Sequence, residues 1–452
     1  MARKVFISFL GTGFYYETTY GDISNGVNFA PTRFAQKATL EYLKANEWSK
    51  DDQVIIMLTE RARTSNWDVP DNKRIRPKTE QEEEYIGLHT VIDEMNLPCT
   101  VTELNVPDGK TENEMWEIFE LIFDQLQNKD ELYLDVTHAF RYLPMFLLVL
   151  CNYAKFLKEV EVAHISYGNV EGKVDGVAPI MDLLPLSLLQ DWTFAAANYL
   201  ENGYAGRLKD LTKRNMIPIL SDSKRRTLND ENLVNFVNYT EYLSLERITC
   251  RGKGVMSGMR LASVKDVANI IEENSVAIPP LKPIIRKLAD TLENADTSDL
   301  QKFIDAANWC CRMNLYQQSV TFLQEGIITF FCQRHGLDIL SDKERKLINY
   351  GADVQERGTK EETWIENLKF DDIEYAIGKM RELLADEVFD KPFAAFYNKI
   401  VKLRNDYNHC GMNTSALENA IKFKNNVIEY LGNSQIQRIL DAANRSEEPA
   451  AE

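Results

Sequence analysis

In the segment Leu403-Arg404-Asn405-Asp406-Tyr407-Asn408-His409 an arginine precedes a histidine by five positions, and none of the other histidines has such a partner. Guanidinium is permanently cationic and its planar fork fits two phosphate oxygens, while imidazole gives or takes a proton near neutral pH. The pair suits phosphodiester cleavage, with one group steadying charge that develops on the phosphate and the other moving the proton. That chemistry points to RNA, whose 2′-hydroxyl supplies a built-in nucleophile. Asn405, one helical turn before His409, is placed to orient the imidazole. Taken alone, the same residues also describe a solvated helix end with a histidine near the negative pole of its dipole.

A second set of chemistry-bearing residues stands at the far end of the chain. One β-rich run passes into Gly11-Thr12-Gly13-Phe14-Tyr15, and a later one into Asp135-Val136-Thr137-His138-Ala139-Phe140-Arg141. A Gly-x-Gly turn lets backbone amides approach a phosphate, and Thr137, His138 and Arg141 add hydroxyl, imidazole and guanidinium donors. An anionic ligand is expected at Gly11, Thr12, Gly13, Thr137, His138 and Arg141, with Asp135 orienting the turn or capping a helix. A dinucleotide fingerprint is excluded, because Tyr16 stands where the third glycine belongs.

The elements that must position these residues differ between the two ends. Over roughly the first 180 residues, strand patterns at Lys4 to Leu10, Gln53 to Leu58, Thr100 to Val106, Glu131 to Val136 and Val160 to Tyr167 alternate with helical patterns near 33 to 46, 79 to 96, 112 to 127 and 140 to 157. This βαβ series predicts a mostly parallel, Rossmann-like sheet that binds ligands beyond the carboxyl ends of its strands. After Leu183 the pattern is helical. A middle region carries a glycine-rich basic patch, Arg251-Gly252-Lys253-Gly254, read as a turn that also offers contacts to nucleic acid. A new helical block begins at the cap cluster Asp296-Thr297-Ser298-Asp299. Pro392 opens the helix that carries Arg404, whose apolar stripe is Phe393, Phe396, Tyr397, Ile400, Val401 and Leu403. Gln318 and Glu325 of the preceding block are candidates either to line a cleft beside Arg404 or to support the core.

At 452 residues, 44% hydrophobic and 27% charged, the composition is globular. A net charge of −17 excludes a protein that coats nucleic acid over its whole surface, so any RNA contact must be local. The seven cysteines form no Cys-x-x-Cys pair and read as reduced thiols rather than metal ligands. No apolar run is long enough to span a bilayer and no secretory signal pattern opens the sequence, so a cytoplasmic protein without membrane association is expected.

The pattern Asp135-x-Thr137-His138-x-x-Arg141-x-x-Pro144, with the Gly11-Thr12-Gly13 turn, resembles the signature of the CARF domain of CRISPR-associated proteins, and Arg404-Asn405-x-x-x-His409 resembles the HEPN ribonuclease motif. Their order is that of the type III CRISPR ancillary ribonucleases of the Csx and Csm type. The resemblance implies an α/β plus all-α architecture: a CARF-like nucleotide-sensing domain over 1–185, a helical connector over 186–296, a HEPN-like α-helical domain over 297–445 and a disordered tail at 446–452. It implies an antiviral-defence endoribonuclease, switched on by cyclic oligoadenylate, that cuts single-stranded RNA without a metal and leaves 2′,3′-cyclic phosphate ends. Tetra-adenylate is the favoured ring. It implies a homodimer or a higher assembly, with catalysis by Arg404, His409 and Asn405. A facing copy also meets a geometric need, since five residues of helix leave Arg404 and His409 roughly 140° apart. The competing expectations are a non-enzymatic regulator that senses a nucleotide and binds DNA or protein, and a ring nuclease that degrades cyclic oligoadenylate.

Overall fold

A computed structural model describes residues 2–138, 142–216, 228–274, 279–412 and 419–447. They divide into two compact units, Met1–Leu188 and Leu189–Glu452.

The first unit is built on an eight-stranded sheet. Its centre is β1 (Lys4–Leu10), with β4 (Gln53–Leu58) and then β7 (Thr100–Asn105) on one side, and β8 (Glu131–Asp135) and then β9 (Glu161–Gly168) on the other, all parallel. Strand β1 shows why. Val5, Ile7 and Phe9 pack into one apolar layer and Phe6 and Leu10 into the opposite one, so a continuous apolar run is buried on both faces. The helices Glu112–Gln125 and Leu143–Lys158 cover the first layer through Ile118, Ile122, Leu147 and Leu150. Leu40, Leu88 and Ile92 contribute to the second. Strands β4 and β7 extend the parallel sheet on one side of β1, and β8 and β9 extend it on the other, which makes the carboxyl ends of β1 and β8 the topological switch point.

Three further strands complete the sheet beyond the five expected. Strand β10 (Val177–Asp182) runs antiparallel to β9, β2 (Thr19–Asp22) pairs with β10, and β3 (Val27–Asn28) closes the edge. Strands β2 and β3 have only four and two residues, and β10 carries Pro179 within its run, which hides them from periodicity. The region expected to be helical from 79 to 96 is helical only over Leu88–Glu94. Before it, β5 (Lys73–Ile75) and β6 (Glu82–Glu84) form a charged hairpin tied by a Lys73–Glu82 ion pair.

The second unit is helical throughout its described residues. Its core runs from Trp192 to Ala443 as one apolar cluster, so residues on both sides of position 296 share it. Arg247 pairs with Glu293, whose other oxygen pairs with Arg312. Ser298 caps the helix Asp299–Arg312, and Asp390 caps the helix Lys391–Asn408 with Pro392 in its first turn, as the cap and proline patterns imply. Of the tail expected at 446–452, residues 446 and 447 still belong to the helix Ser434–Glu447 and the rest lie outside the described residues.

Candidate ligand and catalytic sites

At the switch point of the first unit, Asp135 is fully buried at the end of β8, beside Ser8 of β1. Its carboxylate accepts hydrogen bonds from Ser8 Oγ (2.7 Å), Thr137 Oγ1 (2.5 Å) and the Thr137 amide (3.1 Å). Burial pushes the carboxyl pKa up, against these hydrogen bonds, which favour the ionised form. The Thr137 hydroxyl in turn accepts from the Gly168 amide at 2.8 Å. Asp135 and Thr137 therefore lock the strand ends together, and the Thr137 hydroxyl is already committed to that lattice.

The glycine turn lies next to them. The Gly11 amide donates to Tyr15 Oη at 3.0 Å, and the Tyr15 ring stacks on His138 with centroids 4.0 Å apart. A Cβ on Gly11 would meet Tyr15 Oη at 2.7 Å and the His138 carbonyl at 3.3 Å, so this approach requires glycine. Burial depresses the His138 pKa to about 4, which keeps the imidazole neutral at physiological pH. Thr12 and Gly13 are exposed, and their amides have no partner among the described residues. They remain available to an anion. Arg141 lies outside the described residues.

Two residues the motif did not contain hold this turn. Asn66 Nδ2 donates to the carbonyls of Gly11 (2.7 Å) and Gly13 (2.8 Å), and Arg74 donates to the Gly13 carbonyl (3.0 Å) and to Asn66 Oδ1 (2.6 Å). Tyr85 Oη also donates to Asn66 Oδ1, at 2.7 Å. With its carbonyls tied back, the turn keeps its amide side open. In sequence Asn66 and Arg74 are an ordinary loop residue and an ordinary hairpin charge.

In the second unit, Arg404 lines a cleft of about 400 Å³. One guanidinium nitrogen is 3.3 Å from Glu325 Oε1, another donates to Gln324 Oε1 at 3.5 Å, and its Nε is buried without a hydrogen-bond partner among the described residues. The other Glu325 oxygen pairs with Arg345, which also donates to the Ile339 carbonyl at 2.9 Å. Arg251 and Lys253 line the same cleft. The glycine-rich basic patch, expected as a turn, instead opens the short helix Gly252–Ser257 with Arg251 at its N-cap; the turn itself falls just before it, at Cys250 with φ 53°, and the patch forms a wall of the cavity that holds Arg404. Glu325 faces this cleft, whereas Gln318 donates to the Ile248 carbonyl at 3.3 Å.

Asn405 and His409 are exposed, and His409 caps the helix end. The helix continues unbroken to Asn408, so Arg404 and His409 do not share the cleft within one chain. The described residues contain no cluster of His, Cys, Asp and Glu able to hold a metal ion. All seven cysteines are free. No helix among the described residues is long and apolar enough to cross a membrane.

Residues 5–172 match the family described as the CARF domain of the CRISPR system endoribonuclease Csx1. The CRISPR-associated protein MJ1674 of Methanocaldococcus jannaschii is 23% identical over 235 residues, which cover 51% of this chain and 34% of that protein. The chain thus spans about a third of the length of that curated relative. A structure of Enterococcus italicus Csm6 bound to cyclic hexa-2′-fluoro-hexa-dAMP aligns over 99% of this chain and 96% of that one, at 12% identity and a TM-score of 0.37. The amino-terminal unit is a Rossmann-like CARF domain followed by a largely helical region. The match over residues 5–172 is to a domain of CRISPR-associated proteins.

Proposed function

We propose that this protein is an endoribonuclease of type III CRISPR defence, activated by cyclic oligoadenylate, with tetra-adenylate the favoured ring. The observation that carries this reading is the position of Arg404: the arginine of the Arg-x-x-x-x-His motif stands in a cationic cleft of the helical unit, in a chain whose other unit is a CARF domain. The open amides of Thr12 and Gly13, beside His138, support anion binding at the sheet's switch point, and Arg141 is proposed to join them.

In this mechanism the RNA 2′-hydroxyl attacks the adjacent phosphate and leaves a 2′,3′-cyclic phosphate and a 5′-hydroxyl. Arg404 stabilises the charge on the phosphorane, His409 transfers the proton and Asn405 orients His409. No step calls for a metal. Because Arg404 and His409 diverge on one unbroken helix, the working pair is assembled from two copies, Arg404 of one and His409 of the other. The helix Leu143–Lys158 offers a surface for dimerisation. Met145, Val149, Tyr153 and Phe156 form an exposed apolar stripe, and Tyr153 meets Phe119 edge to face, beside the exposed Trp116. Residues 1–185 are proposed as the sensing domain and 297–445 as the ribonuclease domain, joined by 186–296 within a shared core.

The test is cleavage of a fluorophore-quencher RNA in EDTA, alone and with cyclic tri-, tetra- or hexa-adenylate, with Arg404→Ala/His409→Ala alongside. Cleavage stimulated by one ring and absent in the double variant supports the reading. RNA that survives every ring would favour the regulator, and loss of the ring on long incubation would add a ring nuclease.

A further inference from the structure

We propose that the cleft around Arg404 seats the RNA strand next to the cleaved bond, with Arg251 and Lys253 taking a flanking phosphate and the wall formed by Met256, Ile339 and Leu340 taking a base. The inference rests on the ribonuclease reading and names the substrate contacts of that same site.

Charge carries the first part. In a chain of net charge −17, Arg251, Lys253, Arg345 and Arg404 converge on one cavity against a single lining carboxylate, Glu325. Arg404 and Arg345 share that carboxylate. Arg251 and Lys253 have no carboxylate partner among the described residues, and both are exposed at the cavity wall. Unneutralised cations beside a paired arginine suit a polyanion whose next phosphate lies one nucleotide away.

Packing carries the second part. A Cβ on Gly252 would sit 3.2 Å from the Phe303 ring, so the glycine lets the backbone of the basic patch lie against the helix Asp299–Arg312. The patch is therefore held in place. Leu340 is 61% exposed at the same cavity, with Met256 and Ile339 beside it. A space of about 400 Å³ with one apolar wall and one cationic rim matches a nucleotide, whose base is apolar on its face and whose phosphate is charged.

The experiment is fluorescence anisotropy with a fluorescein-labelled single-stranded 2′-O-methyl RNA, which lacks the nucleophilic hydroxyl and cannot be cut. It is titrated over a range of salt, with and without cyclic tetra-adenylate. Arg251→Ala/Lys253→Ala is expected to bind about tenfold more weakly and to lower the slope of log affinity against log salt by about 1.4, the value for two lost contacts to a single strand. Leu340→Ala should bind a few-fold more weakly with the slope unchanged. Lys343→Ala/Lys346→Ala, which removes two exposed lysines that do not line the cleft, should bind as wild type does. Wild-type affinity and slope in the Arg251/Lys253 variant, an equal loss in the control pair, or no binding by wild type in either condition would overturn the proposal. Cleavage that survives Arg404→Ala/His409→Ala would remove Arg404 and His409 from the catalytic site while leaving this binding result standing. Cleavage lost in that variant, with binding unmoved in Arg251→Ala/Lys253→Ala, would do the reverse.

Discussion

Glu325 holds Arg404 by an ion pair of 3.3 Å, and its second oxygen holds Arg345. A carboxylate facing an RNA-binding cleft both aims the arginine and competes with phosphate for it. Glu325→Gln keeps the shape and removes the competing charge. The KM for RNA is expected to fall about fivefold, from the ~1 kcal/mol of a partly exposed ion pair, without a rise in kcat. Steady-state kinetics on a short RNA checks this, and an unchanged KM would mean that Glu325 does not face the substrate.

The divergence of Arg404 and His409 around one helix predicts complementation. When Arg404→Ala and His409→Ala proteins are mixed and allowed to exchange subunits, a mixed dimer contains one site with both groups intact. About a quarter of wild-type cleavage should return, from half the dimers carrying one working site of two. If both groups act within one chain, the mixture stays as inactive as its parts.

Loss of the clamp on the glycine turn should be felt by the activator alone. Arg74→Ala removes a donor to the Gly13 carbonyl and to Asn66, so the open amides lose their fixed geometry. The concentration of cyclic oligoadenylate giving half-maximal stimulation should rise about tenfold or more, with the fully stimulated rate preserved. A dose-response curve that does not move would place the ligand elsewhere.

Acid should expose the burial of His138. The folded state holds its pKa near 4 against an ordinary 6.5, so below pH 6.5 the unfolded chain takes up a proton that the native protein refuses. The stability associated with a neutral His138 is present in full above pH 6.5 and is lost as the pH falls toward 4. Thermal melts from pH 7 to 4 should show wild type losing Tm more steeply than His138→Gln. Parallel profiles would show that the ring titrates normally.

The exposed stripe on the helix Leu143–Lys158 makes a prediction about assembly. Phe156 is 79% exposed, so Phe156→Glu should leave the fold intact and weaken a dimer that buries it. Light scattering should show a shift toward monomer, with stimulated cleavage falling in proportion. A dimer that persists unchanged would move the interface away from this helix.

The parallel strands were legible because burial on both faces leaves continuous apolar runs, and Lys4–Leu10 and Gln53–Leu58 form with the bounds their patterns imply. The strands β2, β3 and β10 were not, because two of them are too short for a side-chain pattern and the third is interrupted by Pro179, while their pairing is made by backbone groups. The ligand motif could be read as a set of donors. Its division of labour could not: Thr137 proved to be held between Asp135 and Gly168, while Asn66 and Arg74 hold the turn.

By itself the sequence determined whatever rests on local spacing: the alternating and helical segments, the capped helix that carries Arg404, and the angle that separates Arg404 from His409 along it. Only the tertiary structure decided that Arg251, Lys253 and Arg345 meet Arg404 around one cleft. Their charges are ordinary surface charges in sequence, and what brings them together is the packing of apolar faces on separate helices, which no spacing along the chain records.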